Sequence, residues 1–220
     1  MMSPTVILKL AHCNDANCAS ATLTTVNSAG NVGYYTALVL DASGHPVISY
    51  LDNTNYDLKL AHCNDASCTS ATLTTVNSAG NVGWYTSLVL DASGHPVISY
   101  LDFTNDDLKL AHCNDANCAS ATFTTVDSAG SVGYYTSLTL DASGHPVISY
   151  YDASNADLKL AHCNDANCTS ATLTTVDSAG DVGYYTALAL DASGQSDRLS
   201  LSRLIRPMLQ PETELSPQLN

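Results

Sequence analysis

Apolar positions recur along the chain in short alternating bursts. In residues 34–41, YYTALVLD, aromatic and β-branched side chains alternate with small or polar ones. The segments HPVISYLD (45–52), DLKLAHC (57–63) and TSATLTTV (69–76) behave alike. Each burst has the length of a strand, and none shows the 3.6-residue period of an amphipathic helix. Turn-forming segments separate them: DASG, NTNY, NDAS and NSAGNVG. Asp41 can hydrogen-bond its own turn, and Gly44 can take a positive φ, as in a hairpin built on a type I turn with a bulge. Pro46 lacks a backbone donor and belongs at a strand start or on an unpaired side. Gly30 and Gly33 flank a sharp bend into the next unit. The reading is four strands per unit: an inner strand at 34–41, then 45–52, then 57–63, and an outer strand at 71–76.

The unit is written almost four times. LKLAHCNDANC begins at Leu8, and near copies begin at Leu58, Leu108 and Leu158, 50 residues apart each time. A fixed period of this length marks a repeat architecture, in which one unit cannot bury its apolar surface alone. In the second strand Val47 and Leu51 point one way while Ile48 and Tyr50 point the other. Bulk on both faces places the sheet between two other sheets. The predicted fold is all-β: a β-propeller of about four four-stranded antiparallel blades, as a closed ring or an incomplete one. A β-solenoid is the alternative, with shorter coils and parallel strands. The repeat is entered at the third strand of a blade and left after a first strand at 184–191. Closure would therefore set 7–13 and 21–26 beside 184–191 in one blade. An open arc would instead leave an edge able to pair with another chain.

The pattern SLxLDASGHPVISYLD, followed by DLKLAHC and a Cys pair, resembles the repeat propellers of secreted bacterial proteins, loosely the NHL and Asp-box classes. The resemblance covers residues 8–194. An Asp-box reads Ser-x-Asp-x-Gly-x-Thr-Trp, and LDASGHPV departs from it. The sialidase activity that some Asp-box proteins have is therefore not implied.

Two domains are expected: the repeats in 1–194 and a non-repeat tail in 195–220. After Gly194 the expected HPVISYYD gives way to QSDRLSLSR. With suitable synonymous codons, a one-base shift within Gln195–Ser200 reads Asn-Pro-Ile-Val-Ser, close to the lost repeat. The tail is read as disordered or out-of-frame sequence, against the alternative of a divergent terminal cap. Charge follows the same division. Residues 1–194 carry 18 aspartates against Lys9, Lys59, Lys109 and Lys159, while all three arginines (Arg198, Arg203 and Arg206) lie in the tail. With a formal net charge of −14, the chain should repel nucleic-acid phosphates and anionic lipid. No apolar run approaches the length needed for membrane insertion. The first residues have no basic segment followed by an apolar one, and read as a repeat entered part-way rather than a signal peptide.

The cysteines fall in pairs: Cys13/Cys18, Cys63/Cys68, Cys113/Cys118 and Cys163/Cys168. Each pair brackets a turn between two strands. Hairpin geometry would set its members opposite one another, at a separation that suits a disulfide. Closing so short a loop stabilises by roughly 2 kcal/mol per bridge. The neighbouring His12, His62, His112 and His162 raise a zinc alternative, but each set offers three ligands where a structural site wants four. Disulfides imply an oxidising compartment, hence an extracellular or cell-surface location, with the export signal missing by truncation. His45, His95 and His145 read as turn residues. The acids around the loops at 53–56, 103–106 and 153–156 offer hard oxygen ligands for calcium, but their spacing does not match an EF-hand-type loop and they read as solvated turn acids. No metal and no cofactor is expected.

Tyr34, Trp84, Tyr134 and Tyr184 share one repeat position, each followed by a second tyrosine. They are candidates for inter-blade packing or for a sugar-stacking platform, one per blade. Near-identical copies leave little room for one asymmetric active site, so the chain is not expected to be an enzyme. The expected function is a binding or structural propeller module of an exported protein, with weak multivalent sites for glycans or a cell-surface polymer. A fragment of a sialidase- or lyase-type propeller enzyme, and a purely structural spacer, are the alternatives.

Overall fold

A computed structural model describes residues 5–191 and the backbone of the strand at 196–201. It contains strands and turns and, among the described residues, no helix. The strands are β1 (Leu8–Cys13), β2 (Ala21–Asn27), β3 (Val32–Leu40), β4 (Pro46–Asp52), β5 (Asp57–Cys63), β6 (Ala71–Asn77), β7 (Val82–Leu90), β8 (Pro96–Asp102), β9 (Asp107–Cys113), β10 (Ala121–Asp127), β11 (Val132–Leu140), β12 (Pro146–Asp152), β13 (Asp157–Cys163), β14 (Ala171–Asp177), β15 (Tyr184–Leu190) and β16 (Ser196–Leu201). Three antiparallel four-stranded sheets, β3–β6, β7–β10 and β11–β14, are the complete blades I, II and III. Two-stranded sheets, β1–β2 and β15–β16, flank them. The antiparallel ladders rule out a parallel solenoid.

The blades pack face to face, which explains the unbroken apolar second strand. All seven residues of β4, β8 and β12 are buried. Val47 of blade I joins Ile98 and Tyr100 of blade II in one core. Val97 joins Ile148 and Tyr150 in the next. Ile48 and Tyr50 face the other way, onto Leu8 and Leu10 of β1. Each fully buried side chain of this size contributes roughly 1.5–3 kcal/mol through removal from water. No blade can collect that alone, because its apolar faces are completed only by its neighbours.

Glycine is obligatory where the chain passes from one blade to the next. Gly83 has φ +90°, and a Cβ there would lie 2.7 Å from the Leu58 Cα of the preceding blade. Gly133 stands in the same relation to Leu108. A side chain would push the sheets apart.

Among the described residues the expected ring closure is not present, which leaves the incomplete ring. β1 pairs with β2 alone, and β15 pairs with β16, so the two flanking sheets do not merge into one blade. β16 instead takes the place of a second strand. Leu190 pairs with Ser196 and Tyr184 with Leu201, as Leu40 pairs with Pro46 and Tyr34 with Leu51 in blade I. Among the described residues no hydrogen-bonded ladder joins the first sheet to the last. The other tail residues, 192–195 and 202–220, lie outside the described residues, and with them most of the expectation that the tail is disordered or out of frame.

Candidate functional site

The inner strand of every complete blade carries a bulge. The β3–β4 register shifts between Val32 and Tyr34 and again between Tyr34 and Ala37. Within the bulge the second tyrosine of each pair adopts a left-handed backbone: φ is 49° at Tyr35, 53° at Tyr85, 52° at Tyr135 and 51° at Tyr185. Left-handed φ is rare for a bulky residue and costs on the order of 1–2 kcal/mol. Bulges re-aim side chains, and here they turn four rings toward one place. Successive ring centroids, Tyr35 to Tyr85, Tyr85 to Tyr135 and Tyr135 to Tyr185, are each 4.4 Å apart. These four tyrosines and the threonine after each line a single pocket of about 350 Å³ on the inner strands.

The threonines are tied into the blade interfaces. Thr86 Oγ1 donates to the Tyr35 carbonyl at 2.8 Å, Thr136 to Tyr85 at 2.9 Å and Thr186 to Tyr135 at 2.8 Å. Each threonine in turn meets a serine of the preceding blade, Ser49, Ser99 or Ser149, all three buried. The pocket wall is thus part of the inter-blade seam. Burial, with hydrogen bonding to Tyr135 and Tyr35, pushes the Tyr85 hydroxyl well above the ordinary tyrosine range. It is a neutral hydrogen-bonding group at any physiological pH.

The first aromatics of each pair flank this pocket and are not among its lining residues. All four are half-buried. Trp84 stacks on Phe103 with centroids 5.0 Å apart, and its indole Nε1 donates to Asn81. Tyr184 packs on Tyr151 at 4.3 Å. Tyr134 lies 5.6 Å from Tyr85. Tyr34 lies 6.5 Å from Tyr35, and its hydroxyl donates to Asn31. Phe103 comes from the loop at 103–106. Sequence reasoning singles out the first aromatic because it recurs where one blade hands over to the next. The second is invariant through the repeats. Its signal is the run of bulky residues directly after glycine, where a regular strand would alternate.

A second set of groups sits at the opposite end of the inner strands. His62 Nε2 is 3.1 Å from Asp41 Oδ2, and its Nδ1 is 3.0 Å from Asn117 Oδ1 of the next blade. His112 repeats this with Asp91 and Asn167. Thr74 and Thr124 donate to the carbonyls of the same two asparagines. Burial raises the Asp41 carboxyl, but hydrogen bonds from the His45 backbone, His62 and the Ser43 backbone outweigh it and hold the group below its ordinary value. These are latches between blades. His45, His95 and His145 lie in the turns, as read from sequence, near the same aspartates.

The cysteines are bridged within their repeats: Cys13–Cys18, Cys63–Cys68, Cys113–Cys118 and Cys163–Cys168, each with Cα atoms 4.8 Å apart. The pairing is the expected one, but the expected placement needs correction. Cys18, Cys68, Cys118 and Cys168 are not strand residues and do not stand opposite their partners. The residues opposite Cys13, Cys63, Cys113 and Cys163 are Ala21, Ala71, Ala121 and Ala171. The second cysteines lie inside the turn, with left-handed φ of 53° at Cys18, 54° at Cys68, 53° at Cys118 and 54° at Cys168. The physical reason is the aspartate three residues before each. The backbone N–H of each second cysteine donates at 3.0 Å to the carbonyl of Asp15, Asp65, Asp115 or Asp165. The same aspartate side chains accept from the residues that follow, Ala19, Thr69, Ala119 and Thr169. The chain curls around the aspartate before the second strand begins, so the bridge staples the turn to the first strand and does not cross the ladder.

The loop aspartates serve their own turns. Asp52 is buried and accepts from the Thr54 and Asn55 backbones and from Asn55 Nδ2. Among the described residues no three His, Cys, Asp or Glu side chains are grouped to hold a metal.

No protein-family model matches the chain, and no curated protein matches it. Solved structures do. The K499G mutant of NanB sialidase from Streptococcus pneumoniae superposes with a TM-score of 0.58 at 13% identity, over 85% of this chain and 31% of that one. NanB with Optactamide gives 0.56 at 13% identity, over 84% and 31%. A bifunctional GH43-CE protein of Bacteroides eggerthii gives 0.49 at 13% identity, over 79% and 26%. The chain thus spans about a third or less of the length of these proteins. The likeness shows the propeller fold and does not bear on the NHL and Asp-box resemblance. It also corrects one expectation. Repeated, near-identical blades were taken to exclude an enzyme, yet this fold is found in a sialidase. Internal symmetry in the scaffold is no argument against catalysis, because a few side chains at its mouth suffice to break it.

Proposed function

We propose that this propeller module binds carbohydrate in the pocket formed by its inner strands. One observation carries the reading: four tyrosines, held at a backbone cost in the left-handed region, converge on one pocket. A bulge needing that conformation would be served more cheaply by Gly or Asn. Strain kept in every repeat at one site points to a use for the ring there. The second cysteines bear the same strain, and there the use is the bridge. Aromatic rings beside hydroxyl groups in a pocket suit the apolar faces and hydroxyls of a sugar. The fold's occurrence in a sialidase agrees with a saccharide ligand. The disulfides agree with an exported protein. Because the rings gather in one place, the reading is one shared site, not one site per blade.

The test uses Tyr85→Asn. Asparagine tolerates left-handed φ, so the substitution relieves strain while removing the ring. Trp84 lies 6.3 Å from the Tyr85 ring and 5.3 Å from Tyr35, so its emission reports on the pocket. Titrating an oligosaccharide panel should change Trp84 emission in the parent chain. In the variant, affinity should fall at least about tenfold while the melting temperature stays within a few degrees. Binding unaffected by the substitution, or no binding by any oligosaccharide, would sink the reading.

A further inference from the structure

Resting on that reading, we infer that the pocket selects an uncharged sugar and rejects a carboxylate-bearing one. Among the described residues the lining consists of tyrosines and threonines and offers no cationic side chain. The lysines of the complete blades are engaged elsewhere. Lys59 donates to Thr75 at 2.7 Å, Lys109 lies 3.7 Å from Asp102, and Lys159 lies 2.6 Å from Asp127. All three sit on β5, β9 and β13, the third strands, two strands away from the pocket wall.

The rim of the aromatic band is acidic instead. The Tyr134 hydroxyl donates to Asp106 Oδ1 at 3.4 Å, and the Tyr151 hydroxyl to Asp181 Oδ1 at 2.8 Å. Tyr134 is 5.6 Å from Tyr85 and Tyr151 is 6.4 Å from Tyr135, so both carboxylates lie one ring away from the lining. A carboxylate entering here would lose water, gain no counter-charge and meet two like charges. The acidic surface of the whole chain adds a repulsive field. A neutral sugar faces none of these costs, since its ring stacks on tyrosine and its hydroxyls exchange water for tyrosine hydroxyls. The half-buried Tyr85 hydroxyl stays protonated, so it brings no charge of its own.

The experiment compares matched oligosaccharides that differ only in oxidation of the 6-hydroxymethyl group to a carboxylate. The gluco-, galacto- and manno-series are titrated against the full chain at low and high salt. The neutral member should bind at least tenfold tighter at low salt. The gap should narrow at high salt, because screening weakens the repulsion. Asp106→Asn should narrow it at low salt by several-fold; Asp106 has φ +58°, which asparagine accepts. Equal or tighter binding of the acidic sugars, or weaker binding of them as salt rises, would overturn the selectivity and leave the carbohydrate reading standing. Failure of both members to bind would remove both.

Discussion

Leu8–Cys13 and Leu58–Cys63 share the sequence LKLAHC and the antiparallel partner strand ATLTTVN. Both are strands, and both hairpins carry a disulfide at the same Cα separation. Their surroundings differ. In β5 the residues Leu58, Leu60, Ala61 and Cys63 are buried; in β1 only Leu8 and Leu10 are, and Ala11, His12 and Cys13 are exposed. The second cysteine follows suit, exposed at Cys18 and buried at Cys68. β5 has β4 on its inner edge, blade II on one face and the β1–β2 sheet on the other, whereas β1 is paired with β2 alone and rests on one side against blade I. Local sequence and a cross-link thus make the hairpin, while burial comes from the neighbours. The same residue can be tested in both settings.

Leu60→Ala and Leu10→Ala should show the largest difference. Leu60 is completely buried between blades, so truncation should cost about 3 kcal/mol of transfer and cavity energy. Leu10 keeps 8% exposure beside an open flank that can collapse, and its loss should be less than half as large. Urea unfolding of the two variants under the same conditions measures this. Equal losses would mean that the flanking sheet is as tightly enclosed as a complete blade.

A second comparison lies between the blade interfaces. Asn77 Nδ2 donates to the Tyr100 hydroxyl at 2.8 Å. One interface later the residue is Asp127, which accepts from Tyr150 at 2.6 Å and from Lys159 at 2.6 Å. Burial pushes the Asp127 carboxyl up, but Lys159 and Tyr150 together hold it below its ordinary value. A depressed carboxylate stabilises the fold above the unfolded pKa, and that share is lost as pH falls through the folded one. Asp127→Asn should therefore cost about 1.5 kcal/mol at neutral pH, the scale of a hydrogen bond to a charged group. Its cost should shrink as pH drops below the unmodified carboxylate value of 3.8. Thermal melts between about pH 3 and 7 check the sign; a cost that grows toward acid would refute the assignment.

The smallest effect concerns the latches. Asn117 and Asn167 bridge to the histidine of the preceding blade, but the corresponding residue in the first repeat interface is Ser67. Asn117→Ser should remove the latch and lower stability by about 1 kcal/mol. Ser67→Asn should add a contact to His12 and stabilise by a few tenths to about 1 kcal/mol, since that histidine is exposed. A destabilising Ser67→Asn would show that the first interface is built differently from the others.

Much of this was legible in the sequence because it is local. Alternation located the strands to within about two residues, DASG placed the β3–β4 turns, and the paired cysteines marked the hairpins. Left-handed residues were not legible. Two adjacent aromatics after glycine interrupt the alternation, but which of the two lines the pocket is decided by their backbones. In the same way Cys18 and its copies read as standing opposite their partners, when the aspartate before them holds them in the turn. The latches were hidden too, because His62 and Asn117 are 55 residues apart and meet only across a blade interface.

The sequence by itself determined what depends on neighbours along the chain: all-β structure, a 50-residue unit of four strands, and the disulfide partners within each unit. Apolar burst length, turn chemistry and short-range cross-links act over a few residues and are the same in every copy. The tertiary structure decided what depends on stacking: which identical strands are buried, that no ladder among the described residues closes the ring, and that four tyrosines share one pocket instead of serving four. Those outcomes follow from the rotation between packed blades, and no single repeat encodes that rotation because it exists only where two repeats touch.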